Sequence, residues 1–169
     1  MDLSYCLERL SHQATAVDRL VHGLPAEQAA WRPDPDSWSV LEVICHLLDE
    51  EREDFRAHLD HLLFHAGEPW PPFDPTAWPA ERGYNRRELG SSLGNWLQAR
   101  QESIDWLRGL AEPDWRSSAA VPWGHLAAGD VLASWVAHDL LHTRQLVELL
   151  YAYTAGHARP YAVRYAGPW

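Results

Sequence analysis

Residues 135–146 read WVAHDLLHTRQL, and the fold turns on how the two histidines in that run are taken. At about 100° per residue, Leu132, Trp135, Leu146, Leu149 and Tyr153 share one apolar arc of a helix. His138 and His142 lie on the edge of that arc, one turn from each other, and Gln145 follows one turn later on the same stripe. Two imidazoles at i and i+4 on one face can chelate a single first-row metal ion. The spacing by itself favours two structural histidines in a core. A metal site needs a third ligand from another helix.

Outward from this segment, the pattern predicts four helices. The run 135–146 belongs to a helix that starts after Asp130 as N-cap and ends near Gly156. A first helix over about residues 3–22 repeats Leu3, Leu7, Leu10, Ala14, Val17 and Val21 at helical spacing. A second opens on a capping box, Ser39 with Glu42, and runs to about Ala66, where Gly67 and Pro69 stop it. Asn85 with Glu88 opens a third, through Leu89, Leu93, Trp96, Leu97, Ile104 and Leu107. No repeat and no strand-like run competes. The expectation is an all-α protein, a four-helix bundle with two long irregular connections that need not follow simple up-down order. Residues 1–169 read as one domain, with an aromatic tail from 155 that packs back on the body.

Composition narrows the function. The 169 residues are 46% hydrophobic and include ten Trp, enough for a real core. The formal net charge is −10, with 24 acids against 14 bases, all of them Arg. That balance repels phosphate backbones, so nucleic-acid binding is not expected. No apolar run approaches the roughly 18–20 residues of a membrane span, and MDLSYCLERL is no signal peptide. A cytoplasmic protein with no membrane partner is the default expectation. Cys6 and Cys45 form neither a CxxC pair nor a disulfide framework, and Cys45 reads as a small buried residue beside His46.

The second helix supplies the missing ligand in WSVLEVICHLLDEE. His46, like His138, lies about two turns from its helix start, so the three histidines converge if helices two and four run parallel. His46 nevertheless sits opposite the Leu-rich arc centred near Ile44 and Phe55, which calls for a site at the bundle rim. The half-apolar second face of this helix also raises the expectation of a homodimer. DEERED (49–54) reads mostly as a solvated face, with two exceptions. Glu50, at i+4 from His46, is a candidate fourth ligand or base; Glu51 falls in the apolar arc, where a carboxylate must be paired. Asp139 also points inward and is placed to orient a neighbour. His58, His61 and His65 lie too far along the helix to join His46 and read as solvated. The Trp- and Pro-rich loop 67–84 is either a wall of a substrate cleft or a plug for the bundle end.

These residues resemble a known family. GLPAEQAAWRPDPDSWSVLEVICHLLDEE together with DVLASWVAHDLLHTRQL is similar to the DinB-like (DinB/YfiT) superfamily. The shared features are a Trp-Ser opening of helix two, HLxxxE from His46, and HDxxHxxQ from His138. The resemblance implies a four-helix bundle holding one divalent metal, zinc or nickel, on three histidines. The matching positions are His46, His138 and His142. It also implies a metal-dependent enzyme with a small-molecule substrate, dimeric in many members. Two chemistries are expected: a thiol S-transferase using a low-molecular-weight thiol of the bacillithiol or mycothiol class, or a metal-dependent hydrolase. Glu50 and Glu51 are then candidate proton relays, and Gln145 a hydrogen-bond partner of the bound group. A non-catalytic metal-binding or small-molecule-binding stress-response bundle is the alternative. A hemerythrin-like di-iron centre would need ligands from all four helices, and 85–110 contains no His.

Overall fold

In a computed structural model that describes residues 1–168, helix starts follow local hydrogen-bond chemistry. α1 (Leu3–Val21) is capped by Asp2, whose carboxylate accepts from the Tyr5 N–H at 3.0 Å. A short α2 (Ala26–Ala30) lies in the connection to α3 (Val40–Asp49). The Ser39–Glu42 capping box forms as the sequence predicts: the Glu42 N–H donates to Ser39 Oγ at 3.2 Å and Glu42 accepts from the Ser39 N–H at 2.9 Å. Glu42 also receives the Arg32 guanidinium, so the charge that closes the cap pins the preceding connection. Asn85 does not open a helix. It accepts from Ser39 Oγ at 2.6 Å and donates to the Ala30 carbonyl at 3.1 Å, tying two connections to the start of α3.

After α3 the helix widens into a π-turn, Glu50–Phe55, and resumes as α4 (Arg56–Phe64). A π-turn adds a residue to one turn and rotates every later side chain about the axis, so a single 100° wheel over 40–64 fails there. A short α5 (Trp78–Glu81) precedes α6 (Leu89–Gly109), whose N-cap is Glu88. Next comes a two-stranded hairpin, β1 (Ser118–Val121) against β2 (Gly124–Ala127), antiparallel, with Gly124 at φ +140° in the turn. These Ala-rich four-residue strands carry no alternating pattern, so the strand-free expectation missed them. α7 (Ala128–His157) starts three residues before the predicted point, because Asp130 accepts from the Ala127 N–H inside the first turn. Among the described residues of the tail, Tyr161 and Tyr165 are exposed, against the packed tail expected from the sequence. Trp169, the end of that tail, lies outside the described residues. Among the described residues no helix is long and apolar enough to cross a membrane.

The long helices are α1, the α3–π–α4 unit, α6 and α7. α1 packs on α6 and α7, and the α3–π–α4 unit packs on those same two. The first two long helices are therefore diagonal, with 22–39 crossing the bundle end between them. Residue pairs give the directions. Gln13 meets Val136 and Met1 lies near Gly129, so α1 and α7 run parallel. Cys45 meets Ser92 and Glu51 meets Arg100, so α3 and α6 run parallel. Glu51 and Phe55 both meet Trp135, while His46 meets His138, so α3 and α7 are antiparallel, and the histidines converge without the parallel arrangement considered from the sequence.

The core has two apolar clusters. Ile44, Leu48, Leu93, Trp96, Leu146 and Leu149 belong to one; Leu10, Leu59, Leu62, Leu107, Leu132 and Trp135 belong to the other. Between them lies a buried ion cluster. The Arg100 guanidinium donates to Glu51 at 2.7–3.0 Å, to Asp139 and to the Leu10 carbonyl. Burial works against its charge, but Asp139 and Glu51 outweigh that and hold it protonated. Trp135 Nε1 donates to Glu51 at 3.1 Å, which gives that carboxylate a further donor.

Removing one partner of a buried ion cluster strands the others. Arg100→Met is predicted to destabilise the protein by about 3–5 kcal/mol in urea unfolding, and Arg100→Met/Glu51→Gln/Asp139→Asn to recover much of that loss. A cost below about 1 kcal/mol for the single variant would show that the cluster is not structural.

Candidate metal centre

His46, one turn and a half into α3, meets His138 and His142, which lie in the middle of α7. The three can each offer one ring nitrogen within a group no wider than 4.8 Å, and no fourth side chain belongs to that group among the described residues. His138 Nε2 lies 3.4 Å from His46 Nε2 and 3.1 Å from His142 Nε2. All three rings are half-buried at the bundle rim, where the sequence places them.

Burial depresses the basicity of every ring. His46 is pushed down to about 3, by burial first and then by His142 and His138; His138 falls to about 4, by burial and then by His142. Burial lowers His142 as well. At neutral pH the rings are uncharged, and each has one N–H and one lone pair. Gln145 Oε1 lies 2.8 Å from His142 Nδ1, and Glu50 Oε1 lies 3.6 Å from His46 Nδ1. The Gln145 oxygen keeps the proton on His142 Nδ1 and turns the His142 Nε2 lone pair toward His138, whereas Glu50 stands beyond hydrogen-bond reach of His46. Three nitrogens held at about 2.0–2.1 Å on a tetrahedral ion stand about 3.3–3.4 Å apart. The donor set and the two separations from His138 Nε2 fit a divalent metal ion.

Neighbouring aromatics hold the rings. Trp38, from the Trp-Ser opening of α3, meets His46 edge-on at 4.9 Å and stacks over His142 at 6.4 Å. Phe55 lies 4.9 Å from the His138 ring. An open groove of about 570 Å³ reaches the site, lined by Trp38, His142, Gln145, Asp36 and Glu148 among others.

The acidic run 49–54 departs most from its solvated reading. Asp49 accepts from the Tyr84 hydroxyl at 2.6 Å and pairs with Arg82. Glu51 is held by Arg100 and Trp135 in the ion cluster, so the paired carboxylate expected from its place in the apolar arc is present, and its partners lie in the core. Glu50 stands behind His46 at its Nδ1 and is not in the ligand group. Burial and the neighbouring Asp54 push Glu50 up to about 9. Burial alone would raise Asp54, but hydrogen bonds with His58 and Glu50 more than offset it and hold Asp54 below its usual range. His58, read as solvated, is buried and bonded to Asp54 at 2.6 Å. Asp54 had a legible signal, at i+4 from Glu50 and i−4 from His58. Arg100 had one too, on the stripe Leu93, Trp96, Arg100, Ile104, Leu107. Cys45 is buried and free, as the sequence suggests.

Fold and site together define a helical bundle with a three-histidine centre competent for a divalent metal. The family model of the DinB superfamily matches residues 9–146, and the chain belongs to that superfamily. Among solved structures the chain is similar to YfiT from Bacillus subtilis, described as a probable metal-dependent hydrolase with an unusual four-helix bundle topology. The match has a TM-score of 0.76 at 17% identity and covers 87% of this chain and 85% of that one. No curated protein sequence matches this chain significantly.

The shifted groups set the pH dependence of the metal-free fold. In the unfolded chain His titrates near about 6.5, whereas folded His46 and His138 take protons only at about 3 and 4. Between those values the unfolded state binds more protons, so stability is lost as pH falls below about 6.5. Glu50 acts in the other sense. Its folded pKa of about 9 holds a proton that the unfolded chain releases from about 4.5, and that stability is lost as pH rises toward 9. Urea unfolding of metal-free protein is predicted to peak near pH 6–7. Glu50→Gln, whose amide still donates to Asp54, should abolish the decline between pH 7 and 9 and keep the acid limb. An unchanged alkaline decline in that variant would assign it to another group.

Proposed function

We propose that the chain is a divalent-metal-dependent enzyme that activates a small nucleophile at His46, His138 and His142, and that its reaction is hydrolysis. The observation that carries this reading is the convergence of three neutral Nε2 atoms with no fourth protein ligand among the described residues, beside a groove that reaches His142. Closed sites with four protein ligands are structural; three ligands with an open position are the catalytic pattern. When bound, the ion supplies Lewis-acid polarisation and lowers the pKa of a coordinated nucleophile.

The chain's own residues position that chemistry. Gln145 fixes the His142 tautomer and acts as a positioning residue, while Glu50 lies behind His46 at 3.6 Å. Glu51 serves the fold through Arg100. Water needs no recognition to reach the site, whereas an acidic thiol such as bacillithiol would have to enter a groove lined by Asp36 and Glu148. That charge favours hydrolysis over transfer from an acidic thiol. The description of YfiT as a probable metal-dependent hydrolase supports the same reading.

The test is a panel of small esters and amides with zinc- or nickel-loaded protein, with and without bacillithiol or mycothiol. Turnover independent of thiol is expected. It should fall at least about a hundredfold in His138→Ala and about 10–100-fold in Gln145→Ala. Turnover that requires the thiol would replace hydrolysis by S-transfer. No turnover with the metal bound would leave a binding protein.

A further inference from the structure

A second cavity, an aromatic cleft of about 160 Å³, opens one helical turn from the histidines. Its walls include Phe55, Trp70, Phe73, Trp123 and Val131, with Ser134 at the edge. Ser134 precedes His138 by four residues on α7, about 6 Å along the axis. Phe55 belongs to both places, lining the cleft with its ring 4.9 Å from that of His138. Two of the walls are held by ring contacts. Trp70 stacks on His58 at 4.5 Å and 9°, Phe73 meets the same ring edge-on at 5.0 Å, and Asp54 anchors His58 at 2.6 Å.

Size and polarity select the occupant. An apolar cavity of about 150 Å³ holds benzene, and this one is nearly the same. Aromatic walls favour stacked or edge-on rings. The Asp54 carboxylate at the rim is already committed to His58 and Glu50, which leaves no free anion to balance a cation. We infer that this cleft binds a flat, uncharged ring about the size of benzene, carried by the compound whose reactive group meets the histidines. The second half of this inference rests on the reading of those histidines as a metal centre. Loop 67–84 then walls the substrate site through Trp70 and Phe73, while Trp78 stacks on Arg82 at 4.0 Å.

The ring and the centre are tested separately. Benzyl alcohol titrated into the full chain should shift the indole N–H resonances of Trp70 and Trp123 saturably. Ser134→Phe, at an exposed position, should fill the cleft and abolish those shifts; Trp70→Ala should weaken binding by removing a wall. His138→Ala should retain it. On zinc-loaded protein, 3-phenylpropanohydroxamate, whose tether spans a helical turn, should bind roughly tenfold or more tightly than acetohydroxamate, and Ser134→Phe should close that gap. No saturable shift, or shifts that survive Ser134→Phe, would overturn the ring site. Equal affinity of the two hydroxamates would overturn its link to the centre. Intact benzyl alcohol binding in protein that takes up no zinc would support the cleft and overturn the metal reading instead.

Discussion

The guanidinium of Arg100, closed off from solvent among two carboxylates, a carbonyl and two indole rings, joins all four long helices at one level. It stands on α6, takes Leu10 from α1, Glu51 from the π-turn and Asp139 from α7. A buried ion cluster contributes little net stability compared with well-packed apolar residues, but it is satisfied in one geometry alone. The guanidinium lies over Trp96 of one apolar cluster and Trp135 of the other, and so ties the two in one register. That register reaches the site directly, since Glu51 adjoins Glu50 and Asp139 adjoins His138. Fixing Glu51 against Asp139 sets which turn of α3 faces which turn of α7, and so brings His46 to His138 and His142.

The π-turn makes this arrangement compatible with a continuous helix. Consecutive carboxylates, Glu50 and Glu51, must serve different partners, one behind His46 and one in the ion cluster. The widened turn accommodates both. It also gathers Asp54 and His58 beside Glu50, and His58 in turn carries the aromatic wall of the second cleft. Core, metal centre and cleft share one six-residue segment, Glu50–Phe55.

Much of this is legible in the sequence where the determinant is local. The helices follow from apolar spacing, the start of α3 from Ser39 and Glu42, and the rim location from His46 lying off the Leu-rich arc. The structure brings together the three histidines that the motifs single out. What escaped depends on contacts between distant residues. The antiparallel pairing of α3 with α7 is set by the crossover 22–39, and chain order does not encode it. The burial of Asp49 and the pairing of Asp54 required knowing that Arg82 and His58 come to meet them, so those members of an acid-rich run read as solvated. Tyr161 and Tyr165 show the converse: aromatic composition alone does not secure burial.

Three neutral imidazoles, that of His142 oriented by Gln145, are arranged to hold one divalent ion. Metal content by elemental analysis of untagged protein, beside the His138→Ala variant, tests this directly. About one zinc or nickel per chain, lost in the variant, is the predicted result. No metal in either protein after exposure to zinc, nickel, manganese or iron would contradict it.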